Sequence, residues 1–171
     1  MENLELRMYG LVPFNISSIQ QGIQFGHAVV EYGQMYKDDL YNEWADNYKT
    51  FIILNGGTTN KKLSKDNVPF GTLNQHLLTL KENDIKVSTF EEPDLGDQLT
   101  AITFIVDERV FNKTNYPDYE DWLDDKYPSR TVGKLNITNI HLNKYYKEWV
   151  NLIGGEKNLF LRQFLSQFNL A

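Results

Sequence analysis

The sequence predicts an α/β layered fold followed by a helical tail, and three observations carry that prediction. A strand-like run from Leu4 to Phe14 leads directly into a helix start. "KTFIIL" is a short unbroken apolar stretch of the kind that forms a strand buried on both faces. "IKVSTF" and "LTAITFIV" flank "EEPDLGDQ", whose composition is that of a turn, so the two runs predict an antiparallel hairpin. The resulting order of strand, helices, strand, helix, strand, strand is that of a sheet with helices layered on it.

Each element has a local cause. Pro13 and Asn15 end the first strand, and Ser17 with Gln20 three residues later forms a capping box that opens a helix expected to stop at Gly33. A second helical piece, about Met35 to Tyr48, places Tyr36, Leu40, Tyr41 and Trp44 at helical spacing. "NGGTTNKK" after the second strand lacks the G-x-x-x-x-G-K-[ST] spacing that surrounds phosphates with amides, a lysine and a hydroxyl, and is taken as a plain turn. Thr72 with Gln75 repeats the capping-box pattern ahead of a Leu73, Leu77, Leu80 stripe. After Asp107 the chain turns acidic and aromatic, with a short helix around Tyr119 to Asp125 and two more helices divided by Gly154 and Gly155. The expected organisation is a core over residues 1–107 and an acidic, aromatic, helical extension over 108–171 packed on it.

Composition removes several kinds of chemistry. The 171 residues include no cysteine, which excludes thiolate zinc sites, iron–sulfur clusters, redox pairs and cysteine nucleophiles. The net charge of −6 gives the whole protein no electrostatic footprint for phosphate backbones, leaving only a local patch such as Arg130, Lys134, Lys144 and Lys147. "FIIL" and "AITFIV" are far too short to span a membrane, and the polar, acidic start does not have the pattern of a signal peptide, so no membrane association and a cytoplasmic location are expected.

The first helix is the most informative segment. On a wheel of about 100° per residue, Ile19, Gly22, Ile23, Gly26, Val30 and Gly33 share one narrow face, which is expected to be the buried one. Glycine in a helix costs about 1 kcal/mol against alanine, so Gly22 and Gly26 imply close approach of another element. Phe25 and Tyr32 lie about 120° away and predict a second contact. Beside the glycine face runs a polar stripe, Gln20, Gln24, His27 and Glu31, at helical spacing. A carboxylate one turn from an imidazole holds it in one tautomer, as a general base requires, although a boundary histidine also packs without chemistry. His76 is expected to be a packing residue and His141 a cap or surface residue.

Two acidic groups remain. Glu91, Glu92, Asp94 and Asp97 sit in the expected hairpin turn, where a solvated turn is the simpler reading and a catalytic carboxylate or cation site the sharper one. Five acidic residues surround Tyr119 and Trp122, which makes either a solvated helix face or an acidic, aromatic surface for a basic protein partner.

The element order together with "SIQQGIQFGHA" resembles the type 2 peptidyl-tRNA hydrolase superfamily over roughly residues 5 to 107. That family's first helix typically reads K-G-K-x-A-A-Q-x-G-H-A, and Gln24, Gly26, His27 and Ala28 stand in the corresponding places. The resemblance implies a mixed four-stranded sheet with flanking helices and water attack on the ester joining a peptide or amino acid to the tRNA ribose. It implies that His27 or a hairpin carboxylate orients or deprotonates water, and that Gln24 and backbone amides bind the carbonyl or oxyanion. The family's basic residues at the helix start correspond to Ser18 and Gln20, which carry no charge. Glu91 or Glu92 stands for its acid and Thr100 for its hydroxyl, within "EEPDLGDQLT". No cofactor and no metal is implied, and the partner is tRNA or another nucleotide-bearing ligand. The rival class is a non-catalytic binding module on the same fold, acting through a protein partner of the extension.

Overall fold

A computed structural model describes residues 4–127 and 139–171, with the side chains of 139–143, His141 among them, outside the description. Arg130 and Lys134 also lie outside the described residues. The chain forms two compact units, one running to Val106 and including Gln167–Ala171, the other Asp107–Ser166.

The first unit is an α/β layer structure on a mixed four-stranded sheet of order β2-β1-β4-β3. Its elements are β1 (Leu6–Val12), α1 (Ser18–Met35), α2 (Asp39–Glu43), a π-helical turn (Trp44–Tyr48), β2 (Thr50–Asn55), α3 (Thr72–Glu82), β3 (Ser88–Glu92) and β4 (Gln98–Asp107). β1 and β2 are parallel, joined through the helical crossover, while β3 and β4 are the antiparallel hairpin expected from the turn composition. Alternation along β1 sends Leu6, Met8 and Val12 into a cluster with Phe25, Ala28, Val29 and Tyr32 of α1 and with Trp44. Leu11 points the other way, where Gly56 fits against it and Leu73 of α3. Residues 169–171 return to the sheet edge: Asn55 N donates to Asn169 O and Ala171 N to Ile53 O, each at 3.0 Å.

The capping box at Ser17 is present, with Gln20 N donating to Ser17 Oγ and Ser17 N donating to Gln20 Oε1 at 3.0 Å. The buried face of α1 is not the expected one. Gln24, Phe25, Ala28, Val29 and Tyr32 are buried, while Ile19, Ile23 and Val30 are 78%, 51% and 58% exposed. Among the described residues a Cβ on Gly22 or Gly26 would meet nothing within 4 Å, so neither glycine serves close packing with them. The close approach is made from the strand side: a Cβ on Gly10 of β1 would lie 2.2 Å from the Phe25 ring, so its hydrogen leaves the room that ring fills. Of the helix glycines, Gly33 alone has a close neighbour, the Tyr41 hydroxyl, 2.4 Å from where its Cβ would stand, and α1 runs past it to Met35.

Two further expectations are corrected. α3 has Gly71, not Thr72, at its cap. The Thr72 hydroxyl donates to Gly56 O and accepts from Thr58 N, and Gln75 donates to Pro69 O, so both side chains tie down the preceding loop. Glu91 and Glu92 belong to the end of β3, the turn being Pro93–Leu95 followed by Gly96 and Asp97 with positive φ.

The second unit contains α4 (Glu108–Phe111), α5 (Tyr119–Lys126), α6 (Asn139–Leu152) and α7 (Glu156–Leu165). Its core is Trp149, Val150 and Ile153, with Tyr116, Tyr119, Trp122 and Leu159 packed on them. Gly154 and Gly155 both have φ of 94°, which separates α6 from α7 at a conformation other residues rarely adopt. Buried Arg162 of α7 donates to Arg109 O, Tyr116 O and Asp118 Oδ1 at 2.7, 2.9 and 2.7 Å, pinning the irregular segment between α4 and α5.

Candidate active site

The buried side of α1 rests on β3 and β4 through polar groups. Ser88 Oγ donates to Ala28 O at 2.5 Å and Thr103 Oγ1 approaches the same carbonyl at 3.2 Å, with 2.7 Å between the two hydroxyls. Burying polar atoms is costly unless they are paired, and these bonds fix the helix along the hairpin. One helical turn earlier lies Gln24, only 7% exposed. Its Oε1 accepts from Thr100 Oγ1 at 2.8 Å, and its Nε2 donates to Glu92 Oε2 at 2.6 Å.

A bulge places Thr100 there. The hairpin register pairs Phe90 with Ala101 and Glu91 with Leu99, which leaves Thr100 as the extra residue. Ala101 and Ile105 belong to the cluster under α1 and Thr103 bonds to the helix, so strict alternation would turn Thr100 to the opposite face. The bulge turns it back, and its fully buried hydroxyl bridges the Gln24 amide oxygen and Phe90 O, the latter at 3.2 Å.

Around this trio stand the remaining candidates. His27 is exposed and stacks on Phe90, ring centroids 4.4 Å apart and planes 19° apart. Among the described residues no hydrogen bond joins His27 to Glu31, which points to solvent from the next turn. Glu92 Oε1 also accepts from Asp94 N at 3.4 Å, and Glu91 turns away to an ion pair with Lys61 at 2.8 Å. Ser18 is the exposed first residue of α1, and Gln20 is engaged in the capping box. The structure therefore brings together Gln24, Thr100 and Glu92, sets His27 beside them through Phe90, and leaves Glu31, Ser18 and Gln20 outside the cluster.

Sequence reasoning missed Phe90 and Lys61. Phe90 carried a signal, since β3 alternation puts it on the same side as Glu92, whereas Lys61 lies in a loop whose course no pattern reveals. Tyr119 and Trp122, expected as a contact surface, stack on one another with centroids 6.2 Å apart and spend much of their rings on the core of the second unit. His76 is half-buried against Phe168, edge to face at 4.8 Å, and burial pushes its imidazole pKa down. Among the described residues no three histidine or carboxylate side chains converge as metal ligands, and no helix is long and apolar enough to cross a membrane.

No protein-family model matches the chain, and no curated protein matches it.

Proposed function

We propose that the first unit carries a hydrolytic site of the peptidyl-tRNA hydrolase type, acting on the ester between a peptide or amino acid and a tRNA ribose. The observation that carries the reading is the Gln24–Glu92 bond of 2.6 Å, backed by the Thr100 hydroxyl. A buried amide locked by its oxygen presents its N–H in one direction, so the half-buried Glu92 carboxylate is held in a fixed orientation. In this reading Glu92 takes the proton from water as it attacks the ester carbonyl. Gln24 is then a positioning residue, and Thr100 fixes which end of the amide faces Glu92. His27, spread on Phe90 at the exposed edge, donates to the departing ribose oxygen.

The test is release of labelled peptide from peptidyl-tRNA by the purified full chain. Glu92→Gln should abolish release, and Gln24→Ala should lower kcat while KM stays within about twofold. Release that survives Glu92→Gln overturns the assignment of the base. A second reading, a non-catalytic binding module, draws support from the exposed apolar row Ile19, Ile23 and Val30. It predicts no release by any of these proteins.

A further inference from the structure

We propose that the second unit holds a binding site for a small carboxylic acid with an apolar body, received on one edge of the buried Arg162 guanidinium. The site is a cleft of about 250 Å³ lined by Arg162 and Leu159 of α7, Trp149 of α6, and Lys113, Asp118 and Tyr119. Gly154 and Gly155 turn α7 onto α6, so that Leu159 packs on Trp149, and Arg162 follows one turn later on the same side of α7. The guanidinium carbon lies 5.8 Å from the centroid of the Trp149 ring.

The bond that this guanidinium lacks decides the ligand. The Arg162 side chain is 4% exposed, Nη1 donates to Arg109 O and Tyr116 O, and Nη2 donates to Asp118 Oδ1. Buried Nε has no acceptor among the described residues. Folded proteins leave few such donors, because an unmet buried N–H forfeits the hydrogen bond it made with water. Nε and Nη2 form one edge of the planar group, whose two parallel N–H bonds suit the two oxygens of a carboxylate. Asp118 fills only half of that edge. Lys113 Nζ stands 2.8 Å from Asp118 Oδ1 and 2.6 Å from Oδ2, and so holds the second oxygen away from Nε.

The charges in the cleft are unbalanced in the same sense. Among its lining residues Arg162 and Lys113 are two cations against the single carboxylate of Asp118, one anion short of neutral. Asp118 is also the movable partner: its side chain is 53% exposed, and although it stands at the start of α5 it makes no capping bond there. When it swings out with Lys113, a ligand carboxylate takes Nε and Nη2 together and each cation keeps a partner. Trp149, Tyr119 and Leu159 then meet the apolar body. The cleft is smaller than the roughly 300–1,000 Å³ of pockets that hold drug-sized molecules, which limits that body to about one ring.

The experiment follows the Arg162 Nε–H resonance of the isotopically labelled full chain during titration with benzoate. The resonance is assigned by its loss in R162K or, should that variant not fold, by correlation to its own Cδ protons. Benzoate should move it saturably, and benzamide, the same ring without the charge, should not. K113Q releases Asp118 to take both N–H groups itself, so it should bind benzoate about tenfold more weakly, the worth of one charge-assisted hydrogen bond. D118N removes the competing charge, keeps an acceptor for Nη2, and should bind more tightly. N-acetylphenylalanine presents the same carboxylate as a chain end: tighter binding than benzoate supports the site as one for a peptide terminus, weaker binding supports it as one for a free acid. A resonance unmoved by benzoate, one moved equally by benzamide or by inorganic phosphate, or unchanged affinity in K113Q would each overturn the proposal.

Discussion

Replacing Gly22 and Gly26 of α1 by alanine tests which face of that helix is buried. In the structure each new Cβ points into open space, and neither glycine has a positive φ, so alanine fits both positions without displacing an atom. What remains is the backbone term. Glycine in a helix interior is about 0.8–1.0 kcal/mol less favourable than alanine, so the double variant should gain roughly 1.6–2 kcal/mol. For a chain of this size about 1 kcal/mol moves the thermal midpoint by some 2–4 °C, giving a rise of about 5 °C for the pair. Circular dichroism melts with urea midpoints alongside provide the measurement. Gly10→Ala is the internal control: the same added methyl meets the buried Phe25 ring at 2.2 Å and should destabilise by about 1–3 kcal/mol. A double variant that melts at or below the unaltered temperature would refute the reasoning, since it would mean that something covers the glycine face in solution.

Other consequences are as direct. Thr100→Val keeps the shape of the side chain but leaves the buried Gln24 oxygen without its donor, and should cost about 1–3 kcal/mol in a urea titration; an unchanged midpoint would mean that water or another group takes over. Burial raises the Asp107 carboxyl, but hydrogen bonds from Arg109 and Asn158 and the adjacent guanidinium outweigh it and hold the pKa below the usual range. Its stabilising contribution is thus present above the unfolded value near 3.9 and disappears as pH falls through the lowered folded value, so the urea midpoints of Asp107→Asn and the unaltered chain should converge on acidification. Parallel curves would show that the carboxylate is not linked to folding. Trp122→Ala should lower stability by about 2 kcal/mol through loss of its stacking on Tyr119 and of the Lys126 ammonium 4.7 Å above its ring, and a melt unchanged by it would contradict the packing of the second unit.

Much of the fold was legible because its signals are local. The capping box at Ser17, the continuous apolar run of β2 and the turn between β3 and β4 each depend on residues a few positions apart, and a helix start, a strand and a hairpin formed there, although β2 is only partly buried, with Phe51 51% exposed, and Glu91 and Glu92 stand in β3 rather than in the turn. The face of α1 was not legible. Ile19, Gly22, Ile23, Gly26 and Val30 and the set Phe25, Ala28, Val29 and Tyr32 are both rows of apolar and small residues. What selects the second is Gly10 on another strand, with room for Phe25. The site divides in the same way. Gln24 and His27 came from a recognisable helix sequence, and the hairpin acids from a turn. Thr100 reaches Gln24 only because a one-residue bulge reverses its side, which an alternating pattern cannot express.

The short pairing of residues 169–171 with β2 affects how the first unit is made. Leu54 and its bridge partner Leu170 are more than a hundred positions apart, and the stretch between them includes the whole of the second unit. During synthesis, therefore, every strand of the sheet has left the ribosome long before the segment that covers Ile53 and Asn55 exists. For that interval β2 presents unpaired amides and carbonyls along an outer edge, with Phe51 half exposed on the same strand. The nascent protein is most open to pairing with another chain in that window, and a shortened chain ending before residue 167 would keep the window open permanently.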